Sequence, residues 1–213
     1  MKKVLALVLT LALLLPAAGL AQETVNVLNW YDYIDESVFQ LFEEETGIHV
    51  NPMYCTTNEE MLVTIEANPG TIDVCFPSDY IVERLLAEDM LAEIDYSNIP
   101  NMSYILDNLK DPSYDAGNAH SVPYMWGTTG IVYNTTKVSA PIDSWGVLWD
   151  AQYAGEVIMM DSIRNTMGIA LKYLGYSMNS DDIGALEAAK DLLIKQKTDG
   201  IVKAYQVDET KDK

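Results

Sequence analysis

The sequence predicts an α/β fold with a parallel sheet, and three observations support the prediction. Short apolar stretches of strand type alternate with segments whose apolar residues recur at helical spacing. Residues suited to helix caps and tight turns separate these segments. Each pair of successive strands is joined through a helix, and such crossovers connect parallel strands. We therefore expect a sheet with helices packed on its faces.

The first strand is predicted over Val25–Leu28. A helix follows, for which Asp35 offers an N-cap and Gly47 a stop. Aspartate accepts backbone hydrogen bonds at helix starts, and glycine adopts the left-handed conformation at helix ends. The apolar residues on one face of this helix are Val38, Leu41 and Phe42.

The second strand is predicted over Ile48–Tyr54 and the third over Asp73–Phe76. Between them, Asn58 is expected to cap a helix that the break Asn68-Pro69-Gly70 ends. A third helix is predicted near Tyr80–Glu88. The apolar residues of the second helix are Met61, Leu62 and Ile65.

The later part of the chain alternates in the same way, after a loop-rich stretch from Tyr96 to His120. The strand-like segment Gly130–Asn134 indicates a crossing between two domains. Residues 22–133 then form a first α/β lobe, and residues 134–213 form part of a second. The elements predicted in this second lobe are a helix around Ser144–Asp150, a strand over Val157–Met160, helices over Ile163–Tyr173 and Asp182–Gln196, and a strand over Ile201–Tyr205.

The first 21 residues have the pattern of a secretory signal peptide. Lys2 and Lys3 precede an apolar run over Val4–Leu15, and small residues up to Ala21 follow. The apolar run is shorter than the about 20 residues that span a bilayer. We expect cleavage after Ala21 and a soluble protein in a bacterial periplasm.

The chain is strongly acidic, with 32 Asp and Glu residues against 13 Lys and Arg and a net charge of −19. A field of this sign repels phosphate, so nucleic acid is a poor partner. It attracts cations and raises their encounter rate. Acidic surfaces also keep secreted proteins soluble, so the charge supports a cationic ligand without establishing one.

Motifs of covalent or metal chemistry are missing from the sequence. The two histidines, His49 and His120, lie far apart along the chain. There is no zinc-binding His-Glu-x-x-His pattern, no Gly-x-Ser-x-Gly elbow and no phosphate-binding lysine loop. We therefore expect no cofactor, no metal and no catalysis. The alternative from another class is a secreted hydrolase that uses Asp32 and Asp161 as acid and base.

Cys55 and Cys75 are the only cysteines of the sequence. Cys55 lies at the end of the second predicted strand and Cys75 in the third, and these strands flank the first strand in the expected sheet order. Two strand spacings amount to roughly 9.6 Å, which exceeds the reach of a disulfide. We expect both thiols to be free and to pack as small apolar side chains.

Aromatic and acidic residues follow the first strand directly, in the run Asn29-Trp30-Tyr31-Asp32-Tyr33. Ligands of parallel sheets bind beyond the carboxyl ends of the strands, and Ser78-Asp79-Tyr80 follows the third strand at the same edge. Ring faces attract ammonium groups by roughly 0.5 to 2 kcal/mol each, and a carboxylate adds a charge-assisted hydrogen bond. Trp30 and Tyr33 are therefore candidate walls, and Asp32 a candidate anion, of a site for an organic cation.

Several motifs together resemble the spermidine/putrescine-binding proteins of bacterial ABC transporters. The resemblance extends from Val25 to about Tyr205. It implies a type II periplasmic-binding-protein fold, with two α/β lobes and a hinge, whose second lobe is incomplete in this chain. The matching segments are Asn29-Trp30-Tyr31-Asp32-Tyr33, Glu45-Thr46-Gly47-Ile48, Thr57-Asn58-Glu59-Glu60-Met61, Pro77-Ser78-Asp79-Tyr80, Val122-Pro123-Tyr124-Met125-Trp126-Gly127, Ser144-Trp145 and Leu174-Gly175-Tyr176.

The resemblance implies a function in transport. A monomeric receptor would capture putrescine or spermidine by closure of its two lobes, and the membrane permease of an ABC importer would select the closed form. The alternative within the same class is a receptor for another small cationic solute.

The resemblance also implies which residues contact the polyamine. Tyr31 replaces a small hydroxyl residue of the family, so its ring either narrows the pocket or points away from it. Ordinary packing is the alternative role for Trp30, and helix capping is the alternative for Ser78 or Asp79. The candidate ligand-binding residues of the first lobe are Trp30, Tyr31, Asp32, Tyr33, Ser78, Asp79 and Tyr80.

The candidates in the second lobe follow its first strand. Family members often carry acidic residues where this chain has Ser162 and Asn165, which leaves Asp161 as the only carboxylate there. Asp161 and Ser162 are therefore the candidates, although Asp161 alternatively caps the next helix. Family members also continue well beyond the length of this chain. We expect the 213 residues to bind polyamine weakly or not at all by themselves.

Overall fold

The computed structural model describes residues 22–207, which form two compact α/β units. The predicted signal peptide, residues 1–21, lies outside the described residues, as does the segment 208–213. Packing divides the chain between Met90 and Leu91. The lobe boundary after residue 133 stays a prediction. Within residues 22–207, no helix combines the length and the apolar character needed to cross a bilayer.

The first unit contains, in chain order, β1 (Thr24–Trp30), α1 (Glu36–Thr46), β2 (His49–Cys55), α2 (Asn58–Ala67), β3 (Val74–Cys75) and α3 (Asp79–Ala87). Its strands form a parallel sheet of order β2-β1-β3, which confirms the predicted central position of β1. β1 and β2 pair along their whole length, from Thr24 opposite His49 to Trp30 opposite Cys55. The carboxyl ends of all three strands therefore lie at one edge.

Apolar side chains from the strands and helices form the core of this unit. Leu28 of β1, Met61 of α2 and Leu85 of α3 are almost completely buried. Each such side chain contributes about 1.5 to 3 kcal/mol through its burial. The helix α1 is different, because none of its residues is buried. Its apolar face is between 40% and 53% exposed and consists of Val38, Leu41 and Phe42.

Capping residues set the ends of α1 and α2. Asp35 accepts a backbone hydrogen bond at the start of α1, and Gly47 ends this helix in the left-handed conformation, as predicted. The cap predicted for α2 was wrong. Thr57 is the N-cap, since its side chain accepts from the backbone N–H of Glu60, whereas Asn58 is the first residue of the helix.

The second unit begins with loops and short 3-10 helices, followed by β4 (Val157–Met160), α4 (Ile163–Tyr173), α5 (Ile183–Thr198) and β5 (Val202–Gln206). β4 and β5 pair in parallel. The core where α4 packs on α5 contains Ala170, Leu171, Ala185 and Ala189. The 3-10 helices are Tyr96–Asn98, Pro100–Tyr104, Asp107–Leu109, Ala116–Asn118, Trp145–Trp149 and Ala151–Tyr153.

Two predicted elements of the later chain differ from the structure. Residues 130–134, predicted as a strand, pair with no strand of the described chain, and Val132 is 99% exposed. An extended segment needs a neighbouring strand for its ladder hydrogen bonds, so strand-like composition alone does not produce a strand. The helix predicted around Ser144–Asp150 is a 3-10 helix over Trp145–Trp149, and Ser144 is its N-cap.

Candidate functional site

Trp30 is fixed at the carboxyl end of β1 by both of its N–H groups. The indole N–H donates to the backbone carbonyl of Phe76, directly after β3, at 2.7 Å. The backbone N–H donates to the side-chain oxygen of Asn29, a completely buried residue, at 2.8 Å. The Trp30 ring is half-buried. It is therefore held toward the β3 side of the sheet edge with part of its surface open.

Tyr33 lies beside Trp30, with ring centres 5.6 Å apart and an angle of 32° between the rings. The backbone N–H of Tyr33 donates to the carbonyl of Trp30 at 3.4 Å, which closes a turn after β1. Asp32 lies within this turn and is exposed, as is Tyr33. Two aromatic rings and a carboxylate thus share one turn, and groups of these kinds are able to bind an organic ammonium ion.

Tyr31 is directed to the other flank of β1. Its ring stacks on that of Tyr54 in β2, with centres 4.9 Å apart and 20° between the rings. Since β2 and β3 lie on opposite sides of β1, Tyr31 extends away from the Trp30 and Tyr33 pair. Of the two alternatives that the sequence left for Tyr31, this geometry favours the one in which the ring does not narrow the space beside Trp30.

The residues that follow β3 are tied to α2. The Ser78 hydroxyl accepts from the side-chain amide of Asn58 at 3.0 Å, and the Ser78 backbone N–H donates to the same side chain at 2.9 Å. Ser78 is the N-cap residue of α3, in line with the capping alternative, but its side chain makes no capping hydrogen bond. Asp79 accepts from the backbone N–H of Tyr80 at 2.8 Å, and the Tyr80 hydroxyl donates to Glu59 at 3.3 Å.

In the second unit, Asp161 and Ser162 lie between β4 and α4. Ser162 is the N-cap of α4, and its hydroxyl accepts from the backbone and side-chain amides of Asn165 at 3.5 and 3.0 Å. The alternative that Asp161 caps this helix was therefore wrong. Asp161 is exposed, and Arg164 extends to the side chain of Asn179 at 2.7 Å.

A buried carboxylate in the loops of the second unit escaped the sequence analysis. Asp115 is 3% exposed and accepts from the Ser121 hydroxyl at 2.6 Å and from the backbone N–H of His120 at 3.2 Å. The ring of His120 lies 3.1 Å from the carbonyls of Leu91 and Ala92. These contacts organise the loop. Aspartate occurs so often in turns that its position in the sequence gave no signal of burial.

Three further titratable side chains are those of His49, Cys55 and Cys75. His49 Nδ1 lies 2.7 Å from a carboxylate oxygen of Glu43 on the surface. Cys55 and Cys75 are free thiols, as predicted, and burial raises their pKa values to about 12 and about 11. In the part of the chain that the structure describes, no group of His, Cys, Asp and Glu side chains is arranged to hold a metal ion.

Comparison with known proteins gives the family. Residues 37–212 match the family of bacterial extracellular solute-binding proteins. The chain belongs to this family. The spermidine/putrescine-binding periplasmic protein of Escherichia coli is 33% identical to this solute-binding protein over 174 residues, which are 81% of this chain and 50% of the relative. A putrescine/cadaverine-binding protein of Pseudomonas aeruginosa is 34% identical over 189 residues, which are 85% of this chain and 53% of the relative.

A solved structure supports the fold. The spermidine/putrescine ABC transporter substrate-binding protein PotD from Streptococcus pneumoniae is 38% identical and superposes with a TM-score of 0.69. The superposition covers 89% of this chain and 58% of that chain. The predicted periplasmic-binding-protein fold and the family resemblance are thus confirmed. The solute-binding protein spans about half the length of the curated relatives it matches.

Proposed function

We propose that this solute-binding protein is a receptor that captures polyamines such as putrescine and spermidine and delivers them to the permease of an ABC importer. The observation that carries the proposal is the turn after β1, where Trp30 and Tyr33 lie 5.6 Å apart beside the exposed carboxylate of Asp32. The names of the relatives support the ligand class, since putrescine, spermidine and cadaverine are all alkyl chains that carry ammonium groups.

In the proposed binding mode, the charged ends and the methylene chain of the ligand contribute separately to the affinity. One ammonium group lies against the Trp30 and Tyr33 rings and forms a charge-assisted hydrogen bond with Asp32. The methylene chain gains about 0.8 kcal/mol for each CH2 group that the rings remove from water. The hydrogen bond from the indole to Phe76 holds the Trp30 ring in place before the ligand arrives, which lowers the entropic cost of binding.

The second unit supplies a further candidate anion. Asp161 follows β4 and is exposed, and it does not serve as the cap of α4. We propose that it accepts a hydrogen bond from an ammonium group of the ligand. Ser162 contributes by holding the start of α4, because its hydroxyl already accepts from Asn165.

We propose that the protein is periplasmic and that it binds its ligand without catalysis. The residues 1–21 have the pattern of a cleaved leader, which supports secretion to the periplasm, and the family itself is extracellular. The ligand leaves unchanged, so the function is binding and transport without covalent chemistry.

Calorimetric titration of residues 22–213 with putrescine and spermidine tests the proposal. Butane-1,4-diol, which has the methylene chain of putrescine without its charges, is the matched control ligand, and lysine tests for other small cationic solutes. Because the chain spans about half the length of its relatives, a chimera that adds the remaining part of the E. coli relative is titrated beside it. We expect the chimera to bind both amines saturably, the chain alone to bind them weakly or not at all, and neither protein to bind the diol.

Two results would contradict the proposal. If neither the chain nor the chimera binds an amine more tightly than the diol, the ligand class is wrong. If the added part of the E. coli relative binds as tightly alone as in the chimera, this chain contributes no part of the site.

A further inference from the structure

The sheet edge of the first unit carries a second aromatic pair, apart from Trp30 and Tyr33. Tyr31 and Tyr54 stack with their ring centres 4.9 Å apart and 20° between the rings. Tyr31 is 58% exposed, so one face of the stack is open to solvent, whereas Tyr54 is half-buried in β2. An open ring face on a supported stack is able to attract a cation.

A carboxylate accompanies this pair. Glu36 is the exposed first residue of α1, and its charge acts on the Tyr54 hydroxyl. Burial raises the pKa of the Tyr54 phenol, and the negative charge of Glu36 and the neighbouring phenol of Tyr31 raise it further. The negative charge of Glu36 beside this phenol favours a positively charged group there.

The two aromatic pairs lie on opposite flanks of β1. Trp30 is bonded to the carbonyl after β3, and Tyr31 stacks on β2. Neighbouring strands lie about 4.8 Å apart, so positions on the two flanks are separated by roughly 9.6 Å. The nitrogens at the two ends of spermidine can be this far apart, whereas those of putrescine cannot.

We propose that Tyr31, Tyr54 and Glu36 form a second amine subsite on the β2 flank of the sheet edge, which holds the distal ammonium group of a triamine. The inference rests on the proposed function and adds a preference to it: a triamine occupies both flanks, whereas a short diamine occupies only the one at Trp30. Tyr54 and Glu36 then set the length of ligand that the first unit favours.

The experiment compares spermidine and putrescine on variants of the chimera that adds the remaining part of the E. coli relative to residues 22–213. Dissociation constants come from NMR titrations, which measure binding into the millimolar range. Y54A removes the ring on which Tyr31 stacks, and Y54F keeps that ring without its hydroxyl. E36Q removes the charge from the first turn of α1, and E44Q makes the same change on an exposed residue further along this helix.

We expect Y54A and E36Q each to weaken spermidine binding by about threefold to fivefold, since an exposed cation-aromatic contact or charge-assisted contact has this size. Putrescine binding should stay within about twofold of wild type in the same variants. Y54F and E44Q should keep the wild-type ratio of the two affinities.

Three outcomes would overturn the inference. If wild type binds both amines and E36Q leaves their ratio unchanged, Glu36 has no part in a second subsite and the inference fails while the proposed function stands. An unchanged ratio in a folded Y54A variant overturns it in the same way. If the wild-type chimera binds neither amine, the proposed function itself fails, and this inference fails with it. Should Y54A not fold, E36Q decides alone, because Glu36 is exposed and its side chain has the same size as glutamine.

Discussion

Replacing Trp30 by phenylalanine separates its role in the fold from its role in binding. The change removes the 2.7 Å hydrogen bond from the indole to the carbonyl of Phe76 but keeps a ring beside Tyr33. A hydrogen bond of this kind contributes about 0.5 to 1.5 kcal/mol to stability. We therefore expect W30F to lower the free energy of unfolding by about 1 kcal/mol.

The effect on ligand binding comes from the ring itself. Tryptophan attracts cations more strongly than phenylalanine, and the phenyl ring lacks the bond that fixes the indole. In the chimera, we expect polyamine affinity to fall by about threefold in W30F and by at least about tenfold in W30A. The tenfold loss corresponds to about 1.4 kcal/mol, which lies within the range of a single cation-aromatic contact.

Trp149 in the second unit provides the matched control. Its indole donates to the carbonyl of Leu192 at 3.3 Å, and its ring stacks on Tyr173 with centres 4.9 Å apart, so it makes the same two kinds of contact as Trp30. Urea denaturation should show a similar loss of stability in W149F and W30F, while calorimetry shows weaker polyamine binding only in W30F. The reasoning is refuted if W30A binds as tightly as wild type, or if W149F weakens binding as much as W30F does.

Three further predictions concern single groups. D161N should weaken polyamine binding several-fold in the chimera. D181N changes another exposed aspartate of the same unit and should leave the titration unchanged. Equal binding curves for D161N and wild type would show that Asp161 is not part of the site. A backbone hydrogen bond lowers the pKa of Glu43 from its ordinary 4.5, so its contribution to stability is complete above that pH and is lost as the pH falls through the lowered value. The free energy of unfolding should therefore decline less steeply below pH 4.5 in E43Q than in wild type. The same decline in both proteins would contradict this. Because burial raises the pKa values of Cys55 and Cys75 to about 12 and about 11, a thiol reagent at neutral pH should label them only after unfolding, and rapid labelling of the folded chain would disprove it.

The sequence was sufficient for the parallel sheet of the first unit. Strand and helix patterns there repeat with clear caps and breaks, and the strands pair in the predicted order with β1 in the centre. The cap of α2 was missed by one position because Thr57 and Asn58 are both good N-cap residues, and Asn58 is engaged by Ser78 from a distant part of the chain. Local pattern gives no information on such a contact.

The segment around Val132 shows a different limit. Its residues have the composition of a strand, but strand formation depends on a partner elsewhere in the fold, and no described strand lies beside it. Composition alone therefore predicted an element that the described chain does not form.

The candidate site was predictable in its residues but not in their arrangement. The run from Trp30 to Tyr33 was recognisable as an aromatic and acidic cluster. That Trp30 and Tyr33 lie together while Tyr31 stacks on Tyr54 follows from the register of β1 with its two neighbours, which no local motif contains. The same holds for the Phe76 carbonyl, whose sequence position alone does not indicate that it anchors an indole.

The position at which the β1 ladder ends affects how this surface can change during evolution. Trp30 is the last residue of β1 that pairs with β2, so Tyr31, Asp32 and Tyr33 occupy a turn outside the sheet. Substitutions in this turn alter groups that face solvent without removing any rung of the sheet. Selection can therefore change the side chains of this turn at little cost to folding, as long as the indole keeps its anchor.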